Sequence, residues 1–85
     1  MEILYTSRFQ KSYKKIPFKI KEKAKDKEKN FRKNPFDSGL KTHKLVGIEH
    51  EVWAFSINRT YRIKLIFLDE GRCLFLDIGT HSIYK

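Results

Sequence analysis

Cys73 is the only thiol in the chain, so no internal disulfide can staple the fold, and a reducing compartment is expected. No apolar run approaches the roughly 18 residues of a membrane-spanning helix. The opening MEILYTSRF also lacks the pattern of a secretory signal, so a cytoplasmic protein without a membrane partner is expected. The three histidines and one cysteine show no zinc-ligand spacing, and the four glycines form no phosphate-cradling loop. Neither a metal nor another cofactor is expected. The chain has no internal repeat, and its two prolines, Pro17 and Pro35, fall where elements end. Acidic side chains are also scarce: 10 against 19 Lys and Arg, a net charge of +9. That surplus, with seven Phe, four Tyr and one Trp, fits a polyanionic partner such as nucleic acid, the ribosome or an acidic protein.

What is there suffices for one domain with a modest core, since the chain has 85 residues. Glu2 to Tyr5 reads as a short strand. Thr6 or Ser7 can cap a helix whose apolar positions Phe9, Tyr13 and Ile16 recur at helical spacing. Pro17 disfavours helical geometry at Ile16 and suits the opening of a second helix, Phe18 to Lys33. Ile20, Ala24 and Phe31 form that helix's apolar stripe, and Lys27 interrupts it with a stem that can lie along the surface. Asn34-Pro35 ends the helix. Arg8 to Lys33 holds twelve basic residues against three acidic ones, so the whole net excess sits on the helical pair. Phe36 to Glu49 reads as a connecting segment with turns at Asp37-Ser38-Gly39 and Gly47, and it carries Lys41, His43 and Lys44.

The last third organises the rest. VWAFSI, YRIKLIFLD and RCLFLDIG read as three antiparallel strands, followed by the polar tail THSIY. Side chains alternate faces along a strand, and directly opposed residues share a face. Matching Tyr61, Ile63, Leu65 and Phe67 to Leu74, Leu76 and Ile78 pairs Phe67 with Leu74, Leu65 with Leu76 and Ile63 with Ile78. Asp69 then faces Arg72 across a Glu70-Gly71 hairpin loop. Matching Trp53, Phe55 and Ile57 to Leu65, Ile63 and Tyr61 requires the loop Asn58-Arg59-Thr60. On the other face Arg62 lies opposite Gly79 and Lys64 opposite Asp77. If pairing continues, His81 falls opposite Thr60, so Arg62, His81 and Tyr84 gather at one rim. The expected fold is α+β in the order β-α-α-β-β-β, two N-terminal helices packed on an antiparallel sheet of about four strands.

The helical pair FQKSYKKIP…I…NP, the connector LKTHKLVG, the strand pair WAFSINRTYRI and the ending FLDIGTHSIY resemble the RelE/ParE superfamily of bacterial and archaeal toxins. The resemblance covers essentially the whole chain. Within the superfamily, His43-Lys-Leu-Val-Gly47 and Gly79-Thr-His81 are most similar to the YafQ- and HigB-like branches. The resemblance implies a RelE-like fold and the toxin of a type II toxin–antitoxin pair, an endoribonuclease that cleaves mRNA on the translating ribosome without a metal and so inhibits translation. It implies a cognate acidic antitoxin as partner, with operator DNA bound only through the antitoxin complex. His43 matches the connector histidine of those branches, Arg62 the arginine of the YRI strand, and His81 the histidine after the last strand. Two departures stand out: Ser56 and Thr60 occupy the places of a second strand histidine and an acidic residue, and Tyr84 stands three residues after His81 rather than four.

RNA cleavage needs no outside nucleophile, because the 2′-hydroxyl can attack the neighbouring phosphorus. The protein must take that proton, neutralise phosphoryl charge and protonate the leaving 5′-oxygen. Histidine suits proton transfer near neutral pH, and the arginine fork suits phosphate. The expected roles are proton transfer by His81, with His43 or Tyr84 as counterpart, and transition-state stabilisation by Arg62. Arg59, Lys41, Lys44 and Lys64 would position phosphates. Two alternatives share the fold: a ParE-like inhibitor of DNA gyrase without nuclease chemistry, and a catalytically degenerate RNA-binding member.

Overall fold

A computed structural model describes residues 1–47 and 51–84. Its elements are β1 (Glu2–Tyr5), α1 (Ser7–Lys15), α2 (Phe18–Lys33), β2 (His43–Lys44), β3 (Trp53–Ser56), β4 (Arg62–Asp69) and β5 (Arg72–Gly79). Short 3₁₀ helices follow α2 at Ser38–Leu40 and β5 at His81–Tyr84. The five strands form one sheet in the order β1-β5-β4-β3-β2. The α+β class and the two-helix layer are as expected. The sheet is mixed rather than wholly antiparallel, because β1 runs parallel to β5, from Glu2 opposite Arg72 to Tyr5 opposite Phe75. The extra strand, β2, comes from the segment read as a connector. The end of that connector, residues 48–49, lies outside the described residues.

Local chemistry fixes the helices. The Thr6 hydroxyl oxygen accepts from the Phe9 N–H at 2.9 Å, capping α1. The same hydroxyl donates to the Leu76 carbonyl at 2.9 Å, which ties the start of α1 to β5. Ile16 is extended, as a residue before proline must tend to be, and Pro17 opens α2. α2 buries Ala24 and Phe31 against the sheet. Phe31 is fully buried, with ring centroids 4.7 Å from Phe55, 5.7 Å from Phe75 and 6.2 Å from Phe67. Ile3, Phe9, Ile63, Leu65, Cys73 and Ile78 complete this core between the helices and the sheet.

The β3–β4 register is the expected one: Trp53 lies opposite Leu65 and Phe55 opposite Ile63. The Ile57 N–H donates to the Tyr61 carbonyl at 2.9 Å, closing the Asn58-Arg59-Thr60 loop. In β4–β5, Arg62–Gly79, Ile63–Ile78, Lys64–Asp77 and Asp69–Arg72 also pair as expected. Between them the ladder is shifted by one residue, so Leu65 meets Phe75, Ile66 meets Leu74 and Phe67 meets Cys73. Leu76 is the extra residue on β5 and Leu68 the extra one on β4, and the two irregularities cancel. Phe75 and Cys73, not Leu74 and Leu76, therefore face the core. Packing decides this: Phe75 fills the space between Phe9, Phe31 and Phe55 that Leu76 would fill poorly.

Candidate active site

The ladder defines which side chains share the sheet face away from the helices. One cross-strand row is Ser56–Arg62–Gly79, and the next is His43–Ala54–Lys64–Asp77. Arg62 and Lys64, two residues apart on β4, thus point to the same face, and the row through Lys64 carries His43 there too. The face is not purely polar. Leu45, Val52 and Ala54 are buried on it, with Ile66, Leu76 and Tyr84 packed against them. Leu76 reaches this second cluster because the bulge turns it outward with Asp77.

His81 does not pair with Thr60. β5 ends at Gly79, and His81–Tyr84 coils into a 3₁₀ helix. The tail lies over the outer face instead: the Lys64 ammonium donates to the Ile83 carbonyl at 2.9 Å, and Tyr84 packs onto the second apolar cluster. Burying Tyr84 and Leu76 together outweighs two further rungs of ladder for a polar segment. Gly79 makes the fold-back possible, because a Cβ there would lie 2.8 Å from Ile83 Cγ2. His81 remains exposed, with its ring centroid 5.4 Å from that of Tyr84 and near edge-on. The Tyr84 hydroxyl is buried without a hydrogen-bond partner among the described residues. Burial raises the phenol's pKa, and the charge of Arg62 opposes the rise.

His43 is exposed at the edge strand, its Nδ1 2.9 Å from the Lys41 carbonyl. A carbonyl can only accept, so Nδ1 carries the hydrogen, and in the neutral ring Nε2 holds the lone pair. Lys41 supplies that carbonyl from a left-handed conformation, φ 53°, at the end of the Ser38–Leu40 turn. Arg62 is aimed by the β3–β4 loop: its Nη1 donates to the carbonyls of Arg59 at 3.2 Å and Asn58 at 3.4 Å. Asn58 shapes the loop, its Oδ1 accepting from the N–H groups of Thr60 at 2.9 Å and Tyr61 at 2.7 Å.

Beside Arg62 a cleft of about 380 Å³ opens between this loop, the Ser38–Leu40 turn and α2. Arg59, Lys41 and Arg62 line it, together with Lys23 and Lys27, which sequence reasoning did not place in the site. A signal was present, since Lys27 interrupts the apolar stripe of α2. Lys44 stands apart from this group. It shares the helix-side face with Trp53, and its Nζ lies 3.2 Å from a Glu51 carboxylate oxygen. Asp77, the one buried charged side chain among the described residues, is held by Arg8 Nε at 3.1 Å and accepts from the Ile78 N–H at 2.9 Å. No group of three or more His, Cys, Asp or Glu among the described residues could hold a metal ion. Among the described residues no helix is long and apolar enough to cross a membrane.

No protein-family model and no curated protein sequence matches this chain. Solved structures do. A YoeB/ParE toxin from Agrobacterium tumefaciens superposes with a TM-score of 0.79 at 21% identity, over 95% of this chain and 99% of that one. The E. coli DinJ-YafQ toxin-antitoxin complex gives 0.77 at 20% identity, over 96% and 93%. The archaeal RelE-RelB complex from Pyrococcus horikoshii OT3 gives 0.76 at 11% identity, over 95% and 94%. The fold is that of the RelE/ParE toxins.

Proposed function

We propose that this protein is the toxin of a type II toxin–antitoxin pair and that it acts as a metal-independent endoribonuclease, cleaving mRNA on the ribosome. The observation that carries the reading is the outer sheet face. Arg62, with its guanidinium held by two loop carbonyls, shares that face with His43, and the folded-back tail brings His81 and Tyr84 over it.

In this reading a phosphate docks on the Arg62 fork. Nη1 is anchored from behind, so the remaining N–H groups stay directed at the oxygens that gain charge as the 2′-hydroxyl attacks phosphorus. His43, its tautomer set by the Lys41 carbonyl, presents a basic Nε2 suited to taking the 2′-hydroxyl proton. His81, exposed on the tail, protonates the leaving 5′-oxygen. Once the tail shifts to uncover it, the Tyr84 hydroxyl donates to a phosphoryl oxygen, which gives it a partner. Lys64 fixes the tail through the Ile83 carbonyl and adds positive charge beneath it. The neutralising partner is an acidic segment that covers this face or displaces the tail; the complexes of YafQ with DinJ and of RelE with RelB support an antitoxin as partner.

Induction in cells, with protein and DNA synthesis followed by pulse labelling, tests the reading. Protein synthesis should stop first, and full-length mRNA should disappear with it. Early arrest of DNA synthesis over intact mRNA would favour the gyrase-inhibitor alternative and rule this reading out.

A further inference from the structure

We propose that the cleft between α2 and the β3–β4 loop is a binding groove for the backbone of single-stranded RNA, in which Lys23 and Lys27 hold phosphates beyond the one docked on Arg62. The inference rests on the nuclease reading for the role of Arg62 alone.

Five cations converge there, Lys23, Lys27, Lys41, Arg59 and Arg62, and none of them makes an ion pair among the described residues. The ion pairs found among the described residues, those of Arg8, Arg32, Lys44 and Arg72, all lie outside the cleft, so no carboxylate offsets the charge within it. Like charges around a partly enclosed cleft repel one another, and the low dielectric of the walls strengthens the repulsion. An anion is the simplest group that relieves it.

Lys27 is half-buried on α2, between the turns that bury Ala24 and Phe31, where an apolar residue would add to the core. A lysine stem can cover the helix flank, and the Lys27 side chain lines the cleft. Lys23 lies one turn before it on the same side of the helix. Four residues of helix advance about 6 Å, comparable to the step between successive phosphates of an extended strand. Shape favours a single strand. The groove is concave, walled by a helix on one side and a projecting loop on the other, whereas an A-form duplex offers its phosphates on a broad convex surface.

The test is binding of a short, fully 2′-O-methylated oligoribonucleotide, which cannot be cleaved because its nucleophile is blocked, followed by fluorescence anisotropy across a salt series. Each of Lys23→Ala and Lys27→Ala should lower the magnitude of the log Kd against log salt slope by about 0.7, one single-strand phosphate contact. Lys33→Ala, on the same helix but outside the cleft, should leave it unchanged. Circular dichroism checks that each variant is folded. Slopes for the Lys23 and Lys27 variants equal to wild type would overturn the proposal. So would losses confined to an RNA duplex, which would point to structured RNA, or to poly-L-glutamate, which would point to an acidic protein. Arg62→Ala separates the two levels of inference. If it leaves the slope unchanged while the lysine variants lower it, the groove stands and the assignment of the phosphate to Arg62 fails.

Discussion

The ring of Tyr84 stands near edge-on to that of His81, centroids 5.4 Å apart, where the tail folds back over the outer face of the sheet. Burial raises the phenol's pKa, Arg62 pulls it back, and the hydroxyl has no hydrogen-bond partner among the described residues. A buried hydroxyl left unpaired costs about 1–3 kcal/mol.

Tyr84→Phe separates stability from function. It removes the orphan hydroxyl and keeps the ring that packs on Leu45, Val52 and Ala54. The variant should be as stable as wild type or gain about 1 kcal/mol, roughly 4–8 °C in Tm by calorimetry. RNA cleavage should nevertheless fall. Full activity in a folded Tyr84→Phe protein would remove the hydroxyl from the chemistry.

Gly79→Ala tests the placement of the tail. The new Cβ would stand 2.8 Å from Ile83 Cγ2, a methyl too close to its own backbone to swing aside cheaply. The tail should lift, taking His81 and Tyr84 off the outer face while the core stays folded. Tyrosine fluorescence quenching by a neutral quencher should rise and cleavage should drop. Adding Ile83→Ala, which deletes the offending methyl, should restore both; a double variant no better than Gly79→Ala would mean that the clash is not the cause.

Phe31→Ala should cost about 3–5 kcal/mol, because a fully buried ring in contact with Phe55, Phe67 and Phe75 leaves a cavity that the sheet cannot close. On a domain whose whole stability is of order 5–15 kcal/mol, urea denaturation should shift to a much lower midpoint. A shift below 1 kcal/mol would contradict the described core.

Alkaline pH should destabilise the protein through two groups whose titration windows overlap. Burial pushes the Cys73 thiol from its usual 9.0 up to about 12, and burial together with the Glu28 hydrogen bond pushes Tyr5 from 10.0 to about 12. Both groups keep their protons more tightly when folded. Their contribution is therefore complete below the unfolded values and is lost as pH rises from about 9 toward 12. Cys73→Ala should delay the onset of the decline, and Tyr5→Phe should flatten its later part. Denaturant titrations at successive pH values measure this, and variant profiles parallel to wild type would contradict it.

Much of this architecture was legible because apolar patterning and turn chemistry agree. Asn58-Arg59-Thr60 and Glu70-Gly71 set both hairpins, and Pro17 and Asn34-Pro35 set the helix boundaries. The middle of β5 was not legible, because alternation assumes strict period two. Leu74, Leu76 and Ile78 form a perfect apolar face on paper, yet one extra residue at Leu76 hands the core to Cys73 and Phe75. Compensation by Leu68 hides the slip, since both ends of the hairpin still match. His43 was singled out by type but not as a strand residue, since two residues of edge strand carry no periodicity. Arg62 and His81 were placed at one rim by a continued ladder; the structure brings His81 over the same face by a different route, a tail turned back at Gly79. Lys27 left one signal, its place in the apolar stripe of α2, but neither it nor Lys23 could be assigned to a site from sequence, because their cleft is made by elements distant along the chain.

Central to this account is the chemistry at the outer face, and the ends of the cleaved RNA test it most directly. mRNA should be incubated with translating ribosomes and the purified protein, and the fragments resolved and their termini identified. Attack by the 2′-hydroxyl predicts a 5′-hydroxyl on one fragment and a 2′,3′-cyclic or derived 3′-phosphate on the other. Rates should fall by about 10²–10⁴ in folded His81→Ala, the usual contribution of a positioned proton donor. Intact mRNA, fragments bearing 5′-phosphates, or an undiminished rate in His81→Ala would contradict it.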